Sequence, residues 1–188
     1  TFFNWTHLFP GIERIMKANL NILIALCSLT LLSGCLTFQK QAYDFDYETG
    51  MLVINYHDVR SVKDEKDGDD YLDKDWAELQ TILNKKDDFD PQVAEIKEKT
   101  IFQDGDVLSG KAVFQVRCPK CFPTKKDLLN FVYDEGRWEV INDEIFLIVS
   151  AGQELVSCNG KLLKTEYSTM CAWQQDAVKF QFDFATDE

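Results

Sequence analysis

The sequence lacks the short motifs that mark most familiar chemistry. No serine sits in a Gly-x-Ser-x-Gly elbow, and there is no glycine-rich phosphate loop, no dinucleotide fingerprint and no His-Glu-x-x-His pair. Those absences remove the usual sequence signs of hydrolases, nucleotide-binding enzymes and zinc peptidases. Histidine is scarce, with only His7 and His57 in 188 residues. Positive charge is short as well: 20 Lys and Arg stand against 32 Asp and Glu, a formal net charge of −12. So acidic a chain repels a phosphate backbone, which excludes nucleic acid as a partner and favours solubility, an envelope protein or a cationic partner. Repeats and low-complexity tracts are missing, and the length suits one domain with an extra segment at one end.

Long apolar runs are also wanting. The longest, Leu20 to Leu32, has 13 residues and is softened by Asn21, Cys27, Ser28 and Thr30. A helix that crosses a hydrocarbon core of roughly 30 Å needs about 20 apolar residues. The run follows Met16 and Lys17 and ends in Ser33-Gly34-Cys35, the order of an export signal: a short positive region, an apolar region and a small-residue cleavage site. Thr1 to Ile15 contain no start residue and read as upstream codons.

The closing Leu32-Ser33-Gly34-Cys35 resembles the lipobox of bacterial lipoproteins, a resemblance confined to Met16 through Cys35. It implies cleavage before Cys35 and a membrane anchor made of lipid on that thiol. The residues that follow have no strong period, so 35–42 read as a tether and 43–188 as a single domain. More than one acyl chain makes a lasting anchor where one alone is marginal. Because Leu36 rather than aspartate follows the cysteine, the resemblance also implies the outer membrane rather than the inner one if the cell is Gram-negative. Cleavage would remove Glu13, Arg14 and Lys17, leaving 31 acidic and 18 basic residues.

Downstream, period-2 alternation dominates. Tyr43, Phe45 and Tyr47 alternate with acids, Thr49-Gly50 supplies a turn, and Met51 to Val59 alternates again, which together predict a β-hairpin. Trp76, Leu79, Ile82 and Leu83 recur at helical spacing, with Asp73 or Asp75 as the expected cap and Asn84-Lys85-Lys86 as the end. Val93 to Phe102 and Val107 to Val116 predict a second hairpin, with a bulge near Gly110. Leu128 to Tyr133 and Arg137 to Ile141 flank a turn at Asp134-Glu135-Gly136. Ile145 to Ser150 reads as a buried strand, and Leu155 to Cys158, Tyr167 to Trp173 and Val178 to Phe184 complete the set. About eight strands and one helix near 75–84 define an α+β domain dominated by antiparallel sheet. Phe180, Phe182 and Phe184 share one strand face, which either closes the core or forms an exposed patch.

Four cysteines remain after the anchor: Cys118, Cys121, Cys158 and Cys171. An oxidising envelope makes disulfides the default, and of three connectivities we expect Cys118–Cys121 and Cys158–Cys171. Two alternatives use the same residues. Cys118-Pro119-Lys120-Cys121 has the spacing of a redox dithiol, with Arg117 and Lys120 as nearby cations, although Phe122-Pro123 interrupts the helix such a centre needs. All four thiols could instead hold zinc, although Cys158-x12-Cys171 is not the second half of a zinc ribbon.

The acidic stretch around Gly68 fails as an EF-hand, because Lys63 and Lys74 fall where carboxylates are required. His57, in Tyr56-His57-Asp58, reads as a strand histidine bonded to a neighbour. With no catalytic constellation, no metal and no cofactor to propose, the sequence points to a lipid-anchored binding or structural module. The alternative is a redox or zinc protein centred on Cys118 and Cys121.

Overall fold

The computed structural model describes residues 36–62, 71–84, 92–150 and 154–185. The export-like segment, Cys35 and the acidic stretch around Gly68 lie outside them, as do Lys85 and Lys86. Within the described residues the fold is α+β and mainly antiparallel sheet, with ten strands and two α-helices.

β1 (Leu36–Asp46) and β2 (Met51–Ser61) form the expected hairpin. Its turn is held by Asp46, whose Oδ1 accepts the amides of Glu48 at 2.9 Å and Thr49 at 3.0 Å. Aspartate favours such turns because its short carboxylate reaches the amides that follow it. The Thr49 amide, opposed by burial and helped by the Glu48 amide, holds the Asp46 carboxyl below its usual range. A depressed folded-state value means that this increment of stability is complete above the unfolded pKa, roughly 3.9. It is lost as the pH falls through the folded value. Asp46→Asn should therefore be less stable than the parent at pH 7, with the gap closing below about pH 4. Denaturant melts across that range test this, and a gap that persists unchanged to pH 2 would refute it.

β1 also corrects an expectation. Residues 36 to 42, expected as a tether, are strand: Leu36 already pairs with Ser61, Thr37 with Arg60 and Phe38 with Val59. The Phe38 ring sits edge-on to Tyr56 with centroids 5.3 Å apart. The apolar pair Leu36 and Phe38 is too short to show a period, and the strand is fixed by pairing with residues 20 or more positions away.

β3 (Ala94–Asp104) and β4 (Val107–Val116) form the second hairpin. The bulge is not near Gly110, which pairs regularly with Ile101 and Tyr56; the register slips instead between Ile96 and Glu98. Leu128 to Tyr133, expected as an arm beside the Asp134 turn, is mostly helix. α1 (Tyr71–Asn84) is the expected helix with an earlier start, and α2 (Lys125–Val132) is the second. Thr124 caps α2, its hydroxyl accepting the Asp127 amide at 3.1 Å and donating to the Asp127 carboxylate at 2.7 Å. Lys125, in the first turn, donates to the carbonyls of Gln175 (2.6 Å) and Ala177 (2.9 Å) and lies 4.7 Å from the Tyr47 ring centroid.

The remaining strands are β5 (Arg137–Ile141), β6 (Glu144–Ser150), β7 (Glu154–Cys158), β8 (Lys161–Lys164), β9 (Ser168–Gln174) and β10 (Lys179–Ala185). They assemble into a six-stranded sheet, β3-β4-β2-β1-β10-β7, and a four-stranded sheet, β5-β6-β9-β8. The chain therefore changes sheet between β7 and β8, at the Asn159-Gly160 turn. Asn159 secures the crossing: its Oδ1 accepts from Trp173 Nε1 (2.6 Å) and the Gln181 amide (3.0 Å), one in each sheet. A Cβ on Gly160 would lie 2.4 Å from the Ala172 carbonyl oxygen and 3.0 Å from Cys171 Sγ. Backbone on one side and a bonded sulfur on the other cannot retreat. Gly160→Ala should cost about 1 to 3 kcal/mol, the usual range for overpacking, read as a lower denaturation midpoint.

Between the sheets lies one continuous core. Phe180, Phe182 and Phe184 of β10 are all buried, and the first two meet Trp138 of β5 and Trp173 of β9 across the gap, with Trp173 and Phe180 centroids 5.4 Å apart. The aromatic strand face is core, not an exposed patch. Leu128, Leu129 and Val132 of α2 are buried on one flank, while Leu79 and Leu83 of α1 lie over β1 to β4 of the large sheet.

Candidate functional site

α1 does not seat fully on the sheet beneath it. Leu72, Trp76, Leu79 and Leu83 recur at i, i+4, i+7 and i+11 and so form a single stripe along the helix. Leu79 is buried and Leu83 half-buried, whereas Leu72 and Trp76 stand largely in solvent. The helix is pinned by Asp75, buried in its second turn, which accepts from the hydroxyl of Ser61 at the end of β2. Asp75 is thus not the helix cap the spacing suggested; α1 begins four residues earlier and uses this carboxylate to grip the sheet.

Under Leu79 and Leu83 the sheet leaves an open apolar slot of about 50 Å³. Phe38, Tyr56 and Val59 form one wall and Ile101 the other, with Gly110 and Ala112 between them. The slot exists because Gly110 has no side chain where its strand neighbours carry Tyr56 and Ile101. Burial pushes the Tyr56 phenol well above its ordinary range, with Gln41 pulling the other way, so the ring faces the slot as a neutral group. Lys111 turns its ammonium to Glu98 Oε2 at 3.2 Å and contributes only its stem. Among the described residues no carboxylate, imidazole or thiol lines the slot. Its lining is mainly apolar and suits an apolar group.

The residues singled out from sequence fall elsewhere. His57 projects from β2, and its Nδ1 is 3.4 Å from Ser109 Oγ and 4.0 Å from Asp104 Oδ2. Serine and carboxylate face the same ring nitrogen, whereas a catalytic triad needs them on opposite ones. This is a strand histidine bonded to its neighbour.

The four cysteines form two pairs at disulfide distance, Cys118–Cys121 and Cys158–Cys171, rather than one cluster. Cys118 and Cys121 are exposed on a single 3-10 turn, Pro119–Cys121, and α2 starts only at Lys125. The helix N-terminus that would activate a redox thiol is therefore displaced from both sulfurs. Cys158 and Cys171 join β7 of the large sheet to β9 of the small one. Among the described residues no group of three His, Cys, Asp or Glu side chains is placed to hold a metal, and no helix is long and apolar enough to cross a membrane.

The slot was not foreseen from sequence. Its one available sign was the stripe from Leu72 to Leu83, which is longer than a helix fully seated on a sheet edge requires. The fold and site define a two-sheet α+β domain with an apolar slot under one helix. The chain matches no protein-family model, no curated protein and no solved structure.

Proposed function

We propose that the protein is a bacterial envelope lipoprotein, anchored through lipid on Cys35, which acts as a binding or structural module and not as an enzyme. The observation that carries the reading is the cysteine pairing. Cys118, Cys121, Cys158 and Cys171 are used up in two disulfides, which suits an oxidising compartment outside the cytoplasm. Of the two other cysteines, Cys27 lies within the export-like segment, so Cys35 of the lipobox is the one left to accept lipid. The apolar slot supports the binding reading, because its walls offer mainly apolar contact area from Phe38, Val59, Leu79, Leu83 and Ile101.

Cys35→Ser should abolish lipidation and release the protein from membranes. Partition after alkaline extraction, with labelled fatty acid to follow the lipid, is the measurement. A Cys35→Ser protein that stays with the membrane would sink the reading.

One observation favours a second reading, a redox protein using Cys118 and Cys121: that bridge is exposed, whereas Cys171 is fully buried. Counting thiols after graded treatment with a dithiol separates the two. A bridge that opens at the poise of the cellular glutathione pool favours redox chemistry, and one that resists it favours a staple.

A further inference from the structure

We infer that the overhanging half of α1, Leu72 and Trp76, together with Val62, rests in the interface of the membrane to which Cys35 ties the chain. The inference rests on the lipid-anchor reading and adds an orientation to it. Leu36, the residue after Cys35, pairs with Ser61 across one strand spacing of about 4.8 Å. Ser61 in turn is bonded to Asp75, and Trp76 follows Asp75 in the helix. Val62 follows Ser61. Two contacts thus place the anchor point and three apolar side chains at the same end of the molecule.

Those side chains stand in solvent: Val62 is 50%, Leu72 56% and Trp76 59% accessible. By contrast Trp138 and Trp173 are buried. Leu72 and Trp76, four residues apart, share a face and continue the stripe whose other half closes the slot. Tryptophan concentrates at membrane interfaces because its ring is apolar while its N–H keeps a polar partner. Strand pairing at Leu36 leaves almost no slack between lipid and fold, so this end of the domain is held against the bilayer at high effective concentration. A bilayer is therefore the occupant that the anchor itself supplies.

The test uses the lipidated protein in phosphatidylcholine vesicles. Flotation is measured first, then tryptophan emission with and without brominated acyl chains. The protein should float, and brominated chains should quench a component of the emission that is missing from Trp76→Phe. Protein that floats with no Trp76 quenching overturns the inference and leaves the anchor standing. Protein that does not float overturns the anchor and the inference with it. Shielding of Trp76 in the Cys35→Ser protein without vesicles, growing with protein concentration, would assign the face to a second copy and also overturn the inference.

Discussion

Phe182→Ala should lower the free energy of unfolding by about 3 to 5 kcal/mol, the range for truncating a buried aromatic ring. Phe182 has no accessible surface and occupies the centre of the core. Its ring stacks on Tyr43 at 5.0 Å and meets Tyr133 at 5.5 Å, Phe184 at 5.6 Å and Trp138 at 5.9 Å. Those partners come from both sheets and from the segment after α2, so none can close the void without moving the others. A loss of that size is a large share of the roughly 5 to 15 kcal/mol that holds a typical domain folded. Soluble expression should fall with it. A denaturant midpoint equal to the parent's would contradict the core placement.

Removing the bridge between the sheets is the second large effect. Cys158→Ala with Cys171→Ala opens a loop of 13 residues, which the chain-entropy treatment values at about 3 kcal/mol. The cost has a native-state side as well, because Cys171 is fully buried against the core. The same double replacement at Cys118 and Cys121, where the sequence separation is 3 and both residues are exposed, should cost less. Thermal or denaturant unfolding of the two variants side by side checks the order. Equal losses would mean that the inter-sheet bridge adds nothing beyond its neighbours.

What could be read from the sequence was what neighbours in the chain decide. The hairpin of β1 and β2 was visible because alternation on both sides meets at Thr49-Gly50, and β10 because three phenylalanines occupy one face. Both cysteine pairs followed from closeness in sequence. Local ambiguity hid α2: Leu128 to Tyr133 is a short apolar run without a resolvable period, and the informative residues were Thr124 and Asp127, which cap the helix just upstream. The four residues of β8 were too few to carry a pattern.

Other features were beyond local reading in principle. The first residues of β1 are strand only because β2 extends to meet them, and the change of sheet at Asn159 depends on partners in β9 and β10. The slot depends on which helix lies over Gly110, a choice made about 30 residues away.

The crossing between the sheets also governs how the protein responds to proteases. Thr165, Glu166 and Tyr167 form an exposed connection between β8 and β9, flanked by the accessible Lys164. Loops of that kind are where nicking concentrates. They lie between Cys158 and Cys171, so a cut there produces two fragments that remain covalently joined by the bridge. The nicked molecule keeps both halves of its core, runs as an intact chain on a non-reducing gel and separates only when reductant is added.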